Sequence, residues 1–183
     1  HGQNRSMNPY TIIFMGPQGS GKGTQITLLA AVLRTRRSGE RVVTLQTGSL
    51  FRALAERGLS YTERRVAETL NSGALQPHFL TVALWGEALM KTVDPESHLL
   101  IDGVPRTLAQ ATLLDEAFDF YERKEVVVIN FVAPGTIVRA RMQGRGRGDD
   151  TAEAITERLR LYERESVPVL TFYRHRPDTT VLD

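Results

Sequence analysis

The chain has 183 residues, 41% hydrophobic and 24% charged, and its 23 basic and 21 acidic side chains leave a formal charge of +2. Those proportions describe one soluble domain with a sizeable core; they exclude long disorder and a surface built throughout for polyanions. With no cysteine there is no disulfide and no cysteine-held metal, which suits a reducing compartment, and no apolar run approaches the roughly 18 residues of a membrane span.

Residues 1–6 are polar and patternless and read as a tag remnant ahead of Met7. Residues 11–15 are an apolar run ending in glycine, which predicts a buried strand. Over residues 21–37, Ile26, Leu28, Leu29, Val32 and Leu33 recur close to the helical period, and Ser38-Gly39 stops the helix. Residues 42–45 are the second strand. Helices follow over 48–57, 62–71 and 77–93, separated by Gly58 and Gly73. Residues 99–101 form the third strand, closed by Asp102-Gly103. A helix over 107–121 leads to the most hydrophobic strand, 126–131, then to a helix over 134–142. Residues 144–150 are a glycine–arginine loop. Residues 151–173 are a long helix disturbed at Pro168, and 180–182 a last short strand.

Continuous apolar strands alternating with helices mean an α/β fold: a three-layer open sheet of about five parallel strands with helices on both faces. Ligands of such sheets bind beyond the carboxyl ends of the strands, here just after Met15, Leu45, Ile101 and Phe131.

The motifs fall at those points. Gly16-Pro17-Gln18-Gly19-Ser20-Gly21-Lys22 follows the first strand with the spacing of a P-loop. Glycines let successive N–H groups face one concavity, the helix that follows favours anions at its start, and Lys22 adds a full charge. The general pattern wants Ser or Thr right after the lysine. Here Gly23 stands there and Thr24 follows.

Gly-Lys-Gly-Thr-Gln resembles the loop of adenylate kinases and their relatives. The likeness continues in order along the chain. Thr47-Gly48-Ser49-Leu50-Phe51-Arg52 resembles the family's Thr-Gly-Asp-x-x-Arg segment; Gly73-Ala74-Leu75-Gln76-Pro77 resembles Gly-x-Leu-Val-Pro; Asp102-Gly103-Val104-Pro105-Arg106-Thr107 resembles Asp-Gly-Phe-Pro-Arg-Thr. Arg141, Arg147, Asp149, Asp150 and Arg158 resemble the lid arginines and their acidic partners. The chain is thereby identified as a member of the nucleoside monophosphate kinases, most similar to adenylate kinases in a short-lid form.

The resemblance implies transfer of a phosphoryl group from ATP to AMP, giving two ADP. It places ATP on Gly16, Gly19, Ser20, Gly21, Lys22, Gly23, Thr24 and Arg141. It places AMP on Thr47, Gly48, Arg52, Ala74, Leu75, Gln76, Gly103, Arg106, Gln110, Arg147 and Arg158, with the Gln110 amide both donating to and accepting from the adenine edge. Lys22, Arg106, Arg141, Arg147 and Arg158 are the catalytic set, since the obstacle is charge: ATP and AMP together carry about six negative charges. Magnesium is implied by the phosphates, held by Asp102 and Thr24 partly through water. Two segments are expected to close: residues 58–73 over AMP and the short loop 142–150 over ATP, within one kinase domain over 7–183. The partners implied are the two nucleotides alone, with no nucleic acid and no membrane, and the reading is of a cytoplasmic monomer.

The sequence also departs from that pattern. Ser49 replaces an aspartate, Gln76 stands where valine is usual, Val104 replaces phenylalanine, and residues 37–41 form a longer segment similar to that of thymidylate kinases. Arg139 and Arg145 match no family position and read as surface charges, Trp85 as packing on a helix, and His78, His98 and His175 as without chemistry. Two other readings stand beside the first. One is a UMP/CMP or dTMP kinase, against which Thr47, Thr107 and Gln110 speak. The other is a P-loop nucleotide-binding module without catalysis.

Overall fold

A computed structural model of the chain describes residues 8–36 and 41–183. The tag-like stretch 1–6 and the helix stop at Ser38-Gly39 lie outside the described residues. The strands are β1 (Thr11–Met15), β2 (Val42–Gln46), β3 (His98–Asp102), β4 (Val126–Asn130) and β5 (Thr179–Leu182). The helices are α1 (Lys22–Arg36), α2 (Thr47–Arg57), α3 (Tyr61–Ser72), α4 (His78–Thr92), α5 (Leu108–Phe120), α6 (Gly135–Gly144), α7 (Ala152–Leu161) and α8 (Val167–Arg174).

Side chains alternate between the faces of a strand, so a strand apolar at every position must be covered twice. β1 is buried throughout. Its Ile13 and Met15 join a core with Trp85 and Leu89 of α4, Leu114 and Phe118 of α5, and Val169 and Tyr173 of α8. Ile12 and Phe14 point the other way, against Ile26, Ala30 and Leu33 of α1. A third small core, Val138, Met142 and Ile155, joins α6 to α7. Five parallel strands run in the order β2-β3-β1-β4-β5, in register from Thr11 against Leu99 and Val126 to Val126 against Thr179. All five therefore end on the same side, where the motifs are.

Three boundaries differ from expectation. α2 begins at Thr47, directly after β2, with no intervening loop. α6 runs to Gly144, past the expected end at Met142. The long helix is divided: α7 ends at Leu161, a π turn spans Tyr162–Ser166, and α8 begins at Val167. Pro168 has no N–H to give to Arg164, and its ring conflicts with that carbonyl. The extra residue of a π turn absorbs the conflict upstream of the proline, and the Val167 N–H reaches the Tyr162 carbonyl instead.

Candidate active site

The carboxyl ends of the strands open into a cleft of about 970 Å³. Its floor is the loop between β1 and α1. Gly16 has φ 130, and a Cβ there would lie 2.6 Å from the Phe131 carbonyl, so only glycine lets the loop pack on the end of β4. The first N–H groups of α1 have no partner within the helix, and its first turn carries no acid. Lys22 curls over this ring, donating to the carbonyls of Gly16 at 2.8 Å and Pro17 at 2.9 Å. Burial lowers its pKa from 10.5 to about 8; Arg106 and Arg145 push the same way and Asp102 opposes them.

Asp102, at the end of β3, lines the cleft. Its carbonyl accepts a hydrogen bond from Thr47 Oγ1 at 3.4 Å, which ties the start of α2 to the end of β3. Arg52, five residues further along α2, donates to Ser49 Oγ at 3.3 Å. The turn after Asp102 carries a cis Val104–Pro105 bond and then Arg106, whose Nε donates to the Gly103 carbonyl at 3.0 Å. Burial holds the Arg106 guanidinium below the ordinary arginine value, against the pull of Asp102. Gln110 is buried, and its Oε1 accepts the Arg106 N–H at 2.8 Å. Nε2 makes no hydrogen bond with a described residue and Oε1 keeps a second lone pair, so the amide can still both donate and accept.

The far wall comes from α6, α7 and the loop between them. Arg141 approaches the carbonyls of Gly19 and Ser20, each at 3.5 Å. Arg145, expected at the surface, instead lines the cleft and makes a two-pronged pair with Asp150. Arg158 on α7 is buried: it holds Asp150, Asp149 at 2.6 Å, and the carbonyl of Leu70 on α3 at 2.9 Å. Burial works against ionisation of Asp150, but hydrogen bonds and charge from Arg145 and Arg158 more than offset it and hold its pKa below the usual carboxylate value. Arg147 lines the cleft and donates no hydrogen bond to any described residue.

Every residue expected at the site lines this one cleft, from Gly16, Gly19, Ser20, Gly21, Gly23 and Thr24 through Thr47, Gly48, Ala74, Leu75, Gln76 and Gly103 to Arg141, Arg147 and Arg158. The structure adds Arg145, Tyr162 and Ser166, the last donating to the Arg106 carbonyl at 3.3 Å. The glycine–arginine run around Arg145 was the signal for it; nothing in sequence singled out Tyr162. Arg139 stays at the surface on Thr156. Trp85 is a core residue of α4, and His98 is buried, accepting the Tyr10 N–H at 2.9 Å.

Seven cations therefore line the cleft (Lys22, Arg52, Arg106, Arg141, Arg145, Arg147 and Arg158) with two carboxylates, Asp102 and Asp149. Such an arrangement can hold two phosphate chains and draw their charges together. No described helix is long and apolar enough to cross a membrane. Residues 14–177 match the family described as adenylate kinase. The chain is 34% identical over 165 residues to an adenylate kinase of Corynebacterium urealyticum, covering 90% of this chain and 86% of that protein. It is 35% identical over 176 residues to one of Bifidobacterium longum, with the same coverage, and 33% identical over 176 residues to one of Cyanothece, with 94% and 86%. With a phosphate loop, a cationic cleft and this likeness along nearly its whole length, the chain belongs to the adenylate kinase family.

Proposed function

We propose that the chain catalyses reversible phosphoryl transfer between ATP and AMP, giving two ADP. The observation that carries this is the single cleft in which a phosphate loop and six arginines face only two carboxylates. An AMP phosphate oxygen forms a bond to the terminal phosphorus of ATP as the bond to the bridging oxygen breaks. The attacking oxygen is already anionic, so no strong base is needed, and the protein's work is positioning and charge. The loop amides, Lys22 and Arg141 take the ATP phosphates. Arg52 and Arg106 take the AMP phosphate, beside Thr47, Gly48, Gly103, Gln110 and the Ala74–Gln76 backbone. Arg147 and Arg158 work with the closing loop at residues 142–150, and α3 with its preceding turn closes over AMP. Excluding water in this way prevents hydrolysis of ATP.

Magnesium fits as the companion of the nucleotide. Among the described residues no three His, Asp or Glu side chains cluster into a metal cage. Asp102 and Thr24 offer one carboxylate and one hydroxyl in the cleft wall. That sparse oxygen set suits an ion that keeps several waters and takes its other ligands from phosphate. Bound there, it would neutralise charge on the transferring phosphates. A monomer and a cytoplasmic location go with the same reading.

The test is a coupled transfer assay with ATP as donor and AMP, CMP, UMP, dTMP and GMP as acceptors. AMP is expected to be the best acceptor by at least about tenfold in kcat/KM. A pyrimidine nucleotide outrunning AMP overturns the assignment, and binding of ATP with no transfer to any acceptor leaves a binding module.

A further inference from the structure

The turn that carries Arg106 is gripped by side chains from three helical segments. Thr47 of α2 donates to the Asp102 carbonyl at its start. Gln110 of α5 accepts the Arg106 N–H at 2.8 Å, and Ser166, 60 residues further along the chain, donates to the Arg106 carbonyl at 3.3 Å. A hydroxyl inside a helix ordinarily bonds the carbonyl four residues back. Thr171, on the next helix, does so to Val167 at 3.4 Å, and Thr92 and Thr112 do the same on α4 and α5. Ser166 departs from that habit. The carbonyl four residues before it, that of Tyr162, takes the Val167 N–H across the π turn. The π turn is also what aims the hydroxyl. Arg158, Tyr162 and Ser166 recur at four-residue spacing and all line the cleft. Were α7 to run on as an α-helix, Ser166 would stand about 80° around the axis from Arg158. The wider i→i+5 closure of a π turn rotates less per residue and brings Ser166 back toward the Arg158 side. Each end of the turn is fixed separately, α7 through Arg158 and Ile155, and α8 through Val169, Leu170 and Tyr173 in the main core.

We infer that Ser166 is a positioning residue for the transfer: its hydroxyl holds the Arg106 backbone so that the guanidinium faces the acceptor phosphate. This rests on the phosphotransferase reading, in which Arg106 takes the AMP phosphate, and deepens it. The Arg106 side chain has a single anchor of its own, Nε to the Gly103 carbonyl at 3.0 Å, and its terminal nitrogens bond no described residue. A guanidinium so lightly held is only as well placed as its Cα. Gln110 and Ser166 fix the peptide groups on either side of that Cα, one through the N–H and one through the carbonyl. Ser166 is itself buried, 8% exposed, so its hydroxyl is not free to turn to solvent. Because it acts through Arg106, its loss should weaken the acceptor phosphate's grip and leave the donor's alone.

The experiment measures AMP and ATP binding by calorimetry for the wild type, Ser166→Ala, Ser166→Cys and Ser166→Thr, with a thermal melt of each. Ser166→Ala and Ser166→Cys, the second filling the same space with only a weak donor, should each weaken AMP binding about fivefold and leave ATP binding within about twofold. Ser166→Thr keeps the hydroxyl and should hold AMP binding within about twofold of the wild type. The deciding measurement is a double-mutant cycle with Arg106→Ala. Ser166→Ala should cost about fivefold in AMP affinity with Arg106 present and less than about twofold in the Arg106→Ala background. A hydroxyl that merely packs the π turn would cost the same in both. Affinity is read per binding-competent molecule through the stoichiometry, so it does not depend on how much of a variant is folded. An equal loss in both backgrounds, a loss shared by ATP, or no loss at all overturns the proposal while the kinase reading stands. A wild type that binds ATP but no AMP removes the kinase reading, and the proposal with it.

Discussion

Arg123 and Arg106 stand at opposite ends of the same parallel sheet. Arg123 is buried near the beginnings of β3 and β4, where its two terminal nitrogens donate to the carbonyls of Ser97 and Asp94, both at 2.7 Å, and to Ser97 Oγ at 3.3 Å. Arg176, at the same end, pairs with Asp115 and Asp178 and lies 5.7 Å from the centre of the Phe172 ring. At the motif end, the Arg106 side chain has one bond, to the Gly103 carbonyl, and Arg147 has none to a described residue. Away from the cleft, a cation whose acceptors all come from the fold is scaffold. A cation left short of acceptors in a cleft is available to a ligand.

The sharpest way to break that contrast is Lys22→Met. Its charge serves only the cleft, so kcat/KM should fall on the order of 10³-fold while the variant melts no lower than the wild type. Unchanged turnover would remove the phosphate loop from the mechanism. Arg123→Met should do the reverse. It orphans two carbonyls and should cost about 2–3 kcal/mol, lowering Tm by roughly 4–12 °C with kcat at permissive temperature unchanged. Lost activity in the folded variant would mean the two ends are not independent.

Arg52→Ala sharpens the contrast within the cleft. AMP binding should weaken by at least about 1.5 kcal/mol, the scale of a charge-assisted hydrogen bond, and ATP binding little. Calorimetry that finds the loss on ATP exchanges the two sides. The smallest effect is on pH. The unliganded Lys22 titrates at about 8, and phosphate beside it favours its charged form. ATP affinity should therefore be full below pH 8 and fall by at most about tenfold per unit above it. Binding should take up close to one proton at pH 9 and almost none at pH 7, read by calorimetry in two buffers of different ionisation heat. The same shift makes the charged lysine a cost to the unliganded fold below about pH 8, relieved between 8 and 10.5. A flat profile would mean that Lys22 keeps an ordinary pKa.

The strands and the phosphate loop were legible because each is written locally: five apolar runs, and glycines at fixed spacing before a lysine. The role of Arg145 was not, since a glycine–arginine run looks the same whether it is solvated or folded back onto Asp150. Nor was the bond from Arg158 to Leu70, which joins residues 88 apart. The break in the last long helix was assigned to Pro168 itself. It falls upstream because the conflict lies with the carbonyl four residues earlier. The sense of Gln110 was invisible in the sequence because it is set by a single backbone partner, Arg106.

Gly73, which caps α3, has φ 75, and a Cβ there would sit 2.4 Å from the Ala154 carbonyl at the start of α7. Three residues before Gly73, the Leu70 carbonyl takes the Arg158 guanidinium. The end of α3 and the root of the loop between α6 and α7 are thus pressed together at a point with no room for one methyl. Loop length and loop root are consequently under different freedoms for anyone redesigning the enzyme. Chain inserted at exposed Gly148 adds to a surface loop at small entropic cost, whereas any side chain at residue 73 must move two helices before it fits.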